Sequence, residues 1–313
     1  MNYLLPILLA SSALLADSED VKIEEVALSD QPTFTSPALP LQPQAPTQPP
    51  VLLKPYKNPY AAVGLTMLIP GLGHIYLNDY ATASGLIGGT LISGSLDSPL
   101  SFGNLWMYSV FASYRDVRIN NNQSGYSYRM PNDNFISLAT APFRWKVIKK
   151  PEVWGGVLGG LALAGGAIAL HNSVTCSVTP KAAKYSINLS PFQAFSIGLG
   201  EEAFFRGYLQ SYFSEQMNKN SALILSSVVF GAAHIPNGFT LPKEDRWRYY
   251  TFSLPLITGL GGYMGWLTQK TNSLQASVAV HAWYDFTLML IDSIGAPTAI
   301  AGGKTRFAYS FEF

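Results

Sequence analysis

Apolar runs of bilayer-spanning length fill the second half of this chain, and one of them holds three charges. The stretch from Ser190 to Gln210 contains Glu201, Glu202 and Arg206. A charge in such a setting costs roughly 2.5–3.5 kcal/mol on insertion scales. Groups retained at that cost are expected to be used. Two later apolar stretches each bring a histidine, His234 and His281, and the second is followed by Asp285. Together they read as a buried acid–base site in a membrane protein.

Composition supports that setting. Hydrophobic residues make up 48% of the 313 positions and charged residues 12%, against roughly 25% charged in an ordinary soluble domain. The predicted fold class is therefore all-α, a polytopic transmembrane helical bundle. A net charge of +1 gives no reason to expect a nucleic-acid partner. The single cysteine, Cys176, can form no internal disulfide and reads as a buried thiol.

The chain divides by composition. Residues 1–16 read as a signal peptide or an uncleaved anchor. Tyr3 to Ala10 is apolar but too short to span, small residues follow at Ser11-Ser12-Ala13, and no Lys or Arg precedes them. Residues 17–58 form a polar, then proline-rich tether that cannot build a core and is expected to be disordered. Residues 59–113 read as a membrane hairpin region of short apolar pieces, with a Pro70-Gly71 break and His74 in a structural or interfacial role. Residues 114–152 read as a basic polar loop, cytoplasmic by the positive-inside rule. Residues 153–293 are the helical bundle. It opens with the uncharged run Val153–Leu170, whose Gly155/Gly159 and Gly156/Gly160 pairs permit close helix approach. Ser190-Pro191 starts the helix of the three charges, and Gly200 and Gly207 flank its charged turn. Residues 294–313 form a C-terminal tail in which Phe307, Tyr309, Phe311 and Phe313 alternate with smaller or polar residues, as in an edge strand or interfacial anchor.

Spacing assigns the charged groups to separate tasks. Glu202 and Arg206 are four apart, meet on one helical face and can neutralise each other. Glu201 projects about 100° away and lacks such a partner. Phe230 and His234 are four apart, as are His281 and Asp285, so Asp285 can orient His281 or raise its basicity. One arrangement uses all of them. Glu201 and His234 hold a water, Glu201 takes its proton, and His281 with Asp285 stabilises a tetrahedral oxyanion. That is amide hydrolysis without a covalent intermediate.

Three motifs, E-E-x-x-x-R at Glu201–Arg206, F-x-x-x-H at Phe230–His234 and H-x-x-x-D at His281–Asp285, resemble the CPBP (Abi) family, which includes the type II CAAX prenyl endopeptidases. The resemblance covers roughly residues 150–293. It implies an intramembrane glutamic endopeptidase, without cofactor or metal, acting on a peptide or membrane-protein substrate from within the lipid bilayer. It also implies a multi-pass protein of a bacterial inner membrane. Carried over, Glu201 is the water-activating base and His234 its partner. Glu202 and Arg206 support the site, and His281 with Asp285 forms the oxyanion hole. The prenyl endopeptidases place asparagine where this chain has Asp285. An ionised aspartate cannot donate a hydrogen bond, so Asp285 either stays protonated or acts by orienting His281.

Two other classes stand beside this one. Two histidines and several carboxylates could serve a metal-dependent membrane hydrolase, although no H-E-x-x-H is present. The same scaffold could also act without catalysis, as a binding, immunity or assembly protein.

Overall fold

The computed structural model describes residues 55–95, 99–121, 130–174, 190–241 and 243–293. The N-terminal signal or anchor, tether residues 17–54, Cys176 and the alternating C-terminal tail lie outside the described residues. Among the described residues the secondary structure is all helical.

The hairpin region begins with α1 (Pro59–Leu68), capped by Asn58, whose side chain accepts from the backbone N–H groups of Tyr60 and Ala61. The chain then turns through Gly71 at φ +90°, where a Cβ would lie 2.8 Å from the Ala83 carbonyl oxygen, so only glycine fits. Next come α2 (Leu72–Tyr76), α3 (Tyr80–Ser95) and α4 (Pro99–Asn120). His74 on α2 is fully buried and places Nε2 3.1 Å from Asp116 Oδ2 on α4. It occupies a packed contact rather than a surface.

In the stretch read as a basic loop, the described residues are largely helical and partly interior. Helix α4 runs on to Asn120, past the boundary drawn at residue 113. Two of the expected loop cations, Arg115 and Arg118, are buried. Each has found acceptors that composition cannot reveal. Arg115 pairs with Asp116 at 2.7 Å and donates to the Asp133 carbonyl. Arg118 pairs with Glu215, which also accepts from Tyr114. Neutralised this way, the cations let the helix continue. After it, α5 (Phe135–Ala139), a 3₁₀ turn (Ala141–Phe143) and α6 (Trp145–Ile148) lie along the bundle.

Helix α7 (Pro151–Val174) contains the uncharged run. Of its two glycine pairs, only one meets a neighbour closely. A Cβ on Gly156 would come within 2.5 Å of Tyr263, and one on Gly160 within 3.0 Å of Tyr284, whereas Gly159 faces nothing within 4 Å. A 3₁₀ turn (Ser190–Phe192) leads into α8 (Gln193–Glu202), which continues through a π-helical segment (Ala203–Leu209) into α9 (Gln210–Gln216). Asn218 caps α10 (Lys219–Ala233) by accepting from Asn220 and Ser221. Two short helices, α11 (Asn237–Thr240) and α12 (Lys243–Arg248), then a second π segment (Tyr249–Ser253), lead to α13 (Leu254–Thr271). Asn272, at φ +48°, ends α13 and turns the chain into α14 (Gln275–Ser293). Among the described residues one helical stretch, Lys219–Phe239, is long and apolar enough to cross a membrane.

Packing centres on α8. Helix α14 lies along one side of it and α4 along another, while α10 pairs with α13 and α7 backs α14. Glycines set these distances. A Cβ on Gly200 would fall 2.5 Å from the Asn104 Cα, and one on Gly207 2.5 Å from the Phe111 ring. On the α14 side, a Cβ on Gly198 would fall 2.9 Å from the Ala282 nitrogen. The hairpin region therefore packs straight onto the helix of the three charges.

Gly200→Ala and Gly207→Ala are expected to lower stability by about 1–3 kcal/mol, the usual cost of overpacking. Gly159→Ala, with open space around it, is expected to leave stability unchanged or raised. Thermal melting of the three purified variants checks this, and a Gly200→Ala protein as stable as Gly159→Ala contradicts the close packing.

Candidate active site

Helix α8 delivers two adjacent glutamates to the interior, and both are fully buried. Beyond Glu202 the ladder widens to π-helical geometry, a distortion that recurs at functional sites. Arg206 lies in that segment, also fully buried. Its Nη1 donates to Glu202 Oε1 at 2.9 Å, the pair expected from the four-residue spacing. The guanidinium stacks over the Phe230 ring at 4.1 Å. Space for it comes from α13, where a Cβ on Gly261 would sit 2.9 Å from Arg206 Nη2.

Glu202 has a second task that spacing did not reveal. The same Oε1 stands 2.8 Å from His281 Nδ1 on α14. A carboxylate held by arginine accepts only, so His281 Nδ1 carries the hydrogen and donates. Glu202 thus orients the ring, a task assigned above to Asp285. The opposite nitrogen, Nε2, faces two carboxylates: Asp285 Oδ2 at 3.3 Å and Glu201 Oε2 at 3.7 Å. Among the described residues neither Glu201 oxygen has a hydrogen-bond partner.

His234 ends α10 as its C-cap, just before Pro236. Its Nδ1 lies 2.8 Å from the Phe230 carbonyl, which can only accept, so this nitrogen donates and Nε2 carries the lone pair. Tyr249 holds the turn by donating to the His234 carbonyl at 2.7 Å.

His234, His281 and Asp285 meet at a cavity of about 30 Å³, enough for a water molecule. Phe230, Ile257, Leu260, Met264 and Val280 supply its apolar wall, with Tyr284 beside Asp285. Glu201 is not on that wall. It reaches the cavity through His281, so the direct Glu201–His234 grip on one water, expected from the motifs, is not the arrangement seen. Among the described residues no three His, Cys, Asp or Glu side chains are grouped as metal ligands.

Several contributors escaped the sequence reading. Tyr249 lies between the second and third motifs and belongs to neither. Gly261 stands in the run Gly259-Leu260-Gly261-Gly262, a signal of close approach that spacing alone could have offered. Gln210, fully buried one turn beyond Arg206, donates to the Gly265 carbonyl at 3.1 Å and ties α9 to α13.

Residues 185–287 match the family model described as type II CAAX prenyl endopeptidase Rce1-like. The matched segment spans all three motifs and every group of the site. The match supports the resemblance of this part of the chain to the CAAX protease-like family, a family of membrane-embedded endopeptidases. The match covers about a third of the chain and leaves α1–α7 outside it. No curated protein matches the chain, and no solved structure does.

Glu202→Gln is expected to destabilise the protein, because it leaves Arg206 and His281 without their shared anion. Removing one partner of a buried pair costs about 3–5 kcal/mol, and the retained amide oxygen puts this variant at the lower end. Unfolding midpoints of the wild type and Glu202→Gln in the same detergent measure it, and equal midpoints would remove the shared anion from the account.

Proposed function

We propose that the chain is an intramembrane glutamic endopeptidase of a multi-pass bacterial inner-membrane protein, which hydrolyses a peptide bond with a water activated by Glu201 and His234. One observation carries this reading. Glu201 on α8 stands 3.7 Å from His281 on α14, and His281 lines one buried cavity together with Asp285 and with His234 of α10.

The geometry supports a role for each group. Glu201 is buried, and among the described residues neither of its oxygens is hydrogen-bonded, which suits a group that takes a proton. His234 lines the cavity and has Nδ1 engaged by the Phe230 carbonyl, which leaves its ring suited to helping hold a water there. His281, fixed by Glu202 and Arg206, offers Nε2 to the developing oxyanion once that nitrogen carries a proton. A proton at Nε2 is stabilised by the charge of two nearby carboxylates, Asp285 at 3.3 Å and Glu201 at 3.7 Å. In this account Asp285 supports His281 and does not itself donate to the oxyanion. The proton taken by Glu201 passes to the departing amine.

The cavity of about 30 Å³ cannot admit a peptide. Substrate entry therefore requires α10, α13 and α14 to part, and the same motion lets water reach Glu201 past His281. Apolar walls on α13 and α14 suit an apolar residue beside the scissile bond. The resemblance to prenyl endopeptidases extends to the reaction class and does not assign a prenylated substrate here.

Glu201→Gln, His234→Ala and His281→Ala are each expected to lower kcat by about 10²–10⁴-fold, the usual contribution of positioned acid–base groups. Membrane proteomes of cells carrying wild type or Glu201→Gln should differ in specific cleaved fragments, with the variant melting like wild type. Identical fragment sets would favour a non-catalytic binding or assembly protein. Hydrolysis is also expected to survive chelation of divalent metals; its loss on chelator addition, with recovery on adding Zn²⁺, would instead support the metal-dependent alternative.

A further inference from the structure

We propose that the surface built by residues 135–150 is a binding site for anionic lipid headgroups at the membrane boundary, a proposal that rests on the membrane-embedded reading above. This segment exposes what a water-facing surface would hide. Ile136 is 68% exposed, Phe143 59% and Trp145 73%. Its inward residues, Leu138, Ala141 and Val147, are buried against the bundle. Large aromatic side chains at the outer surface are the signature of the bilayer–water boundary.

The charge of the same surface is one-sided. Arg144, Lys146, Lys149 and Lys150 fall in a stretch from Asn134 to Pro151 that contains no acidic residue. The acids that bracket it are both committed. Asp133 is buried and accepts from the Leu274 nitrogen at 2.7 Å, and Glu152 pairs with Lys270 at 2.6 Å. No carboxylate of the segment is therefore left to neutralise its cations. Clusters of lysine and arginine beside an apolar membrane anchor attract anionic headgroups and lose that attraction as salt rises.

The patch is also rigidly joined to the helix of His281 and Asp285. Trp283 Nε1 donates to the Pro142 carbonyl at 2.8 Å, and Arg144 donates to Gln275 at 2.9 Å. Gln275 opens α14 six residues before His281, a rise of about 9 Å along the helix. A headgroup-bound patch consequently fixes the depth of the active site below the boundary.

The experiment uses the full chain in nanodiscs of phosphatidylcholine, with or without phosphatidylglycerol. The expected result is a higher melting temperature in the anionic discs, lost at high salt and lost in the K146Q/K149Q/K150Q triple variant. Equal melting of wild type in both discs, or a triple variant with the full shift, overturns the proposal. So does the same shift produced by inorganic phosphate at matched ionic strength in neutral discs, because the site would then read free anions. Glu201→Gln should show the wild-type lipid shift whether or not the protein is a protease. Resistance of the protein to alkaline extraction from membranes tests the embedding separately. Extraction into the soluble fraction defeats the membrane reading, and this proposal with it, while an integral protein blind to phosphatidylglycerol defeats this proposal alone.

Discussion

One carboxylate oxygen holds the centre of this molecule together. Glu202 Oε1 accepts from Arg206 within its own helix and from His281 on another. Through it the positive charge of a fully buried arginine is balanced and the ring of a cavity-lining histidine is oriented. A buried ion pair alone is weak evidence for stability, since desolvation offsets much of the attraction. Here the pair also fixes the relative position of α8 and α14, the two helices that carry most of the site. The aromatic face of Phe230 closes the other side of the guanidinium, so α10 joins the same unit.

Around that centre the fold supplies proximity through glycine. Helix α8 meets α4 at Gly200 and Gly207, meets α14 at Gly198, and the Arg206 side chain fits against Gly261 of α13. Each contact replaces a side chain with backbone approach. Charges kept in an apolar interior need partners within hydrogen-bond reach, and helices separated by larger residues could not provide them. The segment outside the family match is part of this scheme, because α4 is the helix that covers the back of α8.

Much of the site was legible because chemistry is expensive in an apolar sequence. Glu201, Glu202, Arg206, His234, His281 and Asp285 stood out against their surroundings, and helical spacing paired Glu202 with Arg206. Spacing could not reach across helices. It assigned the orientation of His281 to Asp285, four residues along, whereas Glu202, 79 residues earlier in the chain, holds Nδ1. The all-helical character was legible from hydrophobic runs, whereas among the described residues one stretch is long and apolar enough to cross a membrane, and the short helices of residues 135–148 were not foreseen. Their cations and polar residues resemble a loop until Asp133 and Trp283 tie the segment to α14. Arg115 and Arg118 were misplaced for the same reason, since their carboxylate partners, Asp116 and Glu215, carry no pattern that announces pairing.

The π-helical segment from Ala203 to Leu209 has a consequence for how this site can vary. A wider i→i+5 ladder accommodates one residue more than an α-helix of the same length would need. Upstream of it, Glu202 faces α14; downstream, Gln210 faces α13. The segment thus links the two partners along one helix. Deleting one residue here would return the helix to regular winding with its flanks still in phase, and would remove the widened turn that carries Arg206 to the Phe230 ring. The groups of this site thus depend on the local winding of the helix as well as on the residues that it carries.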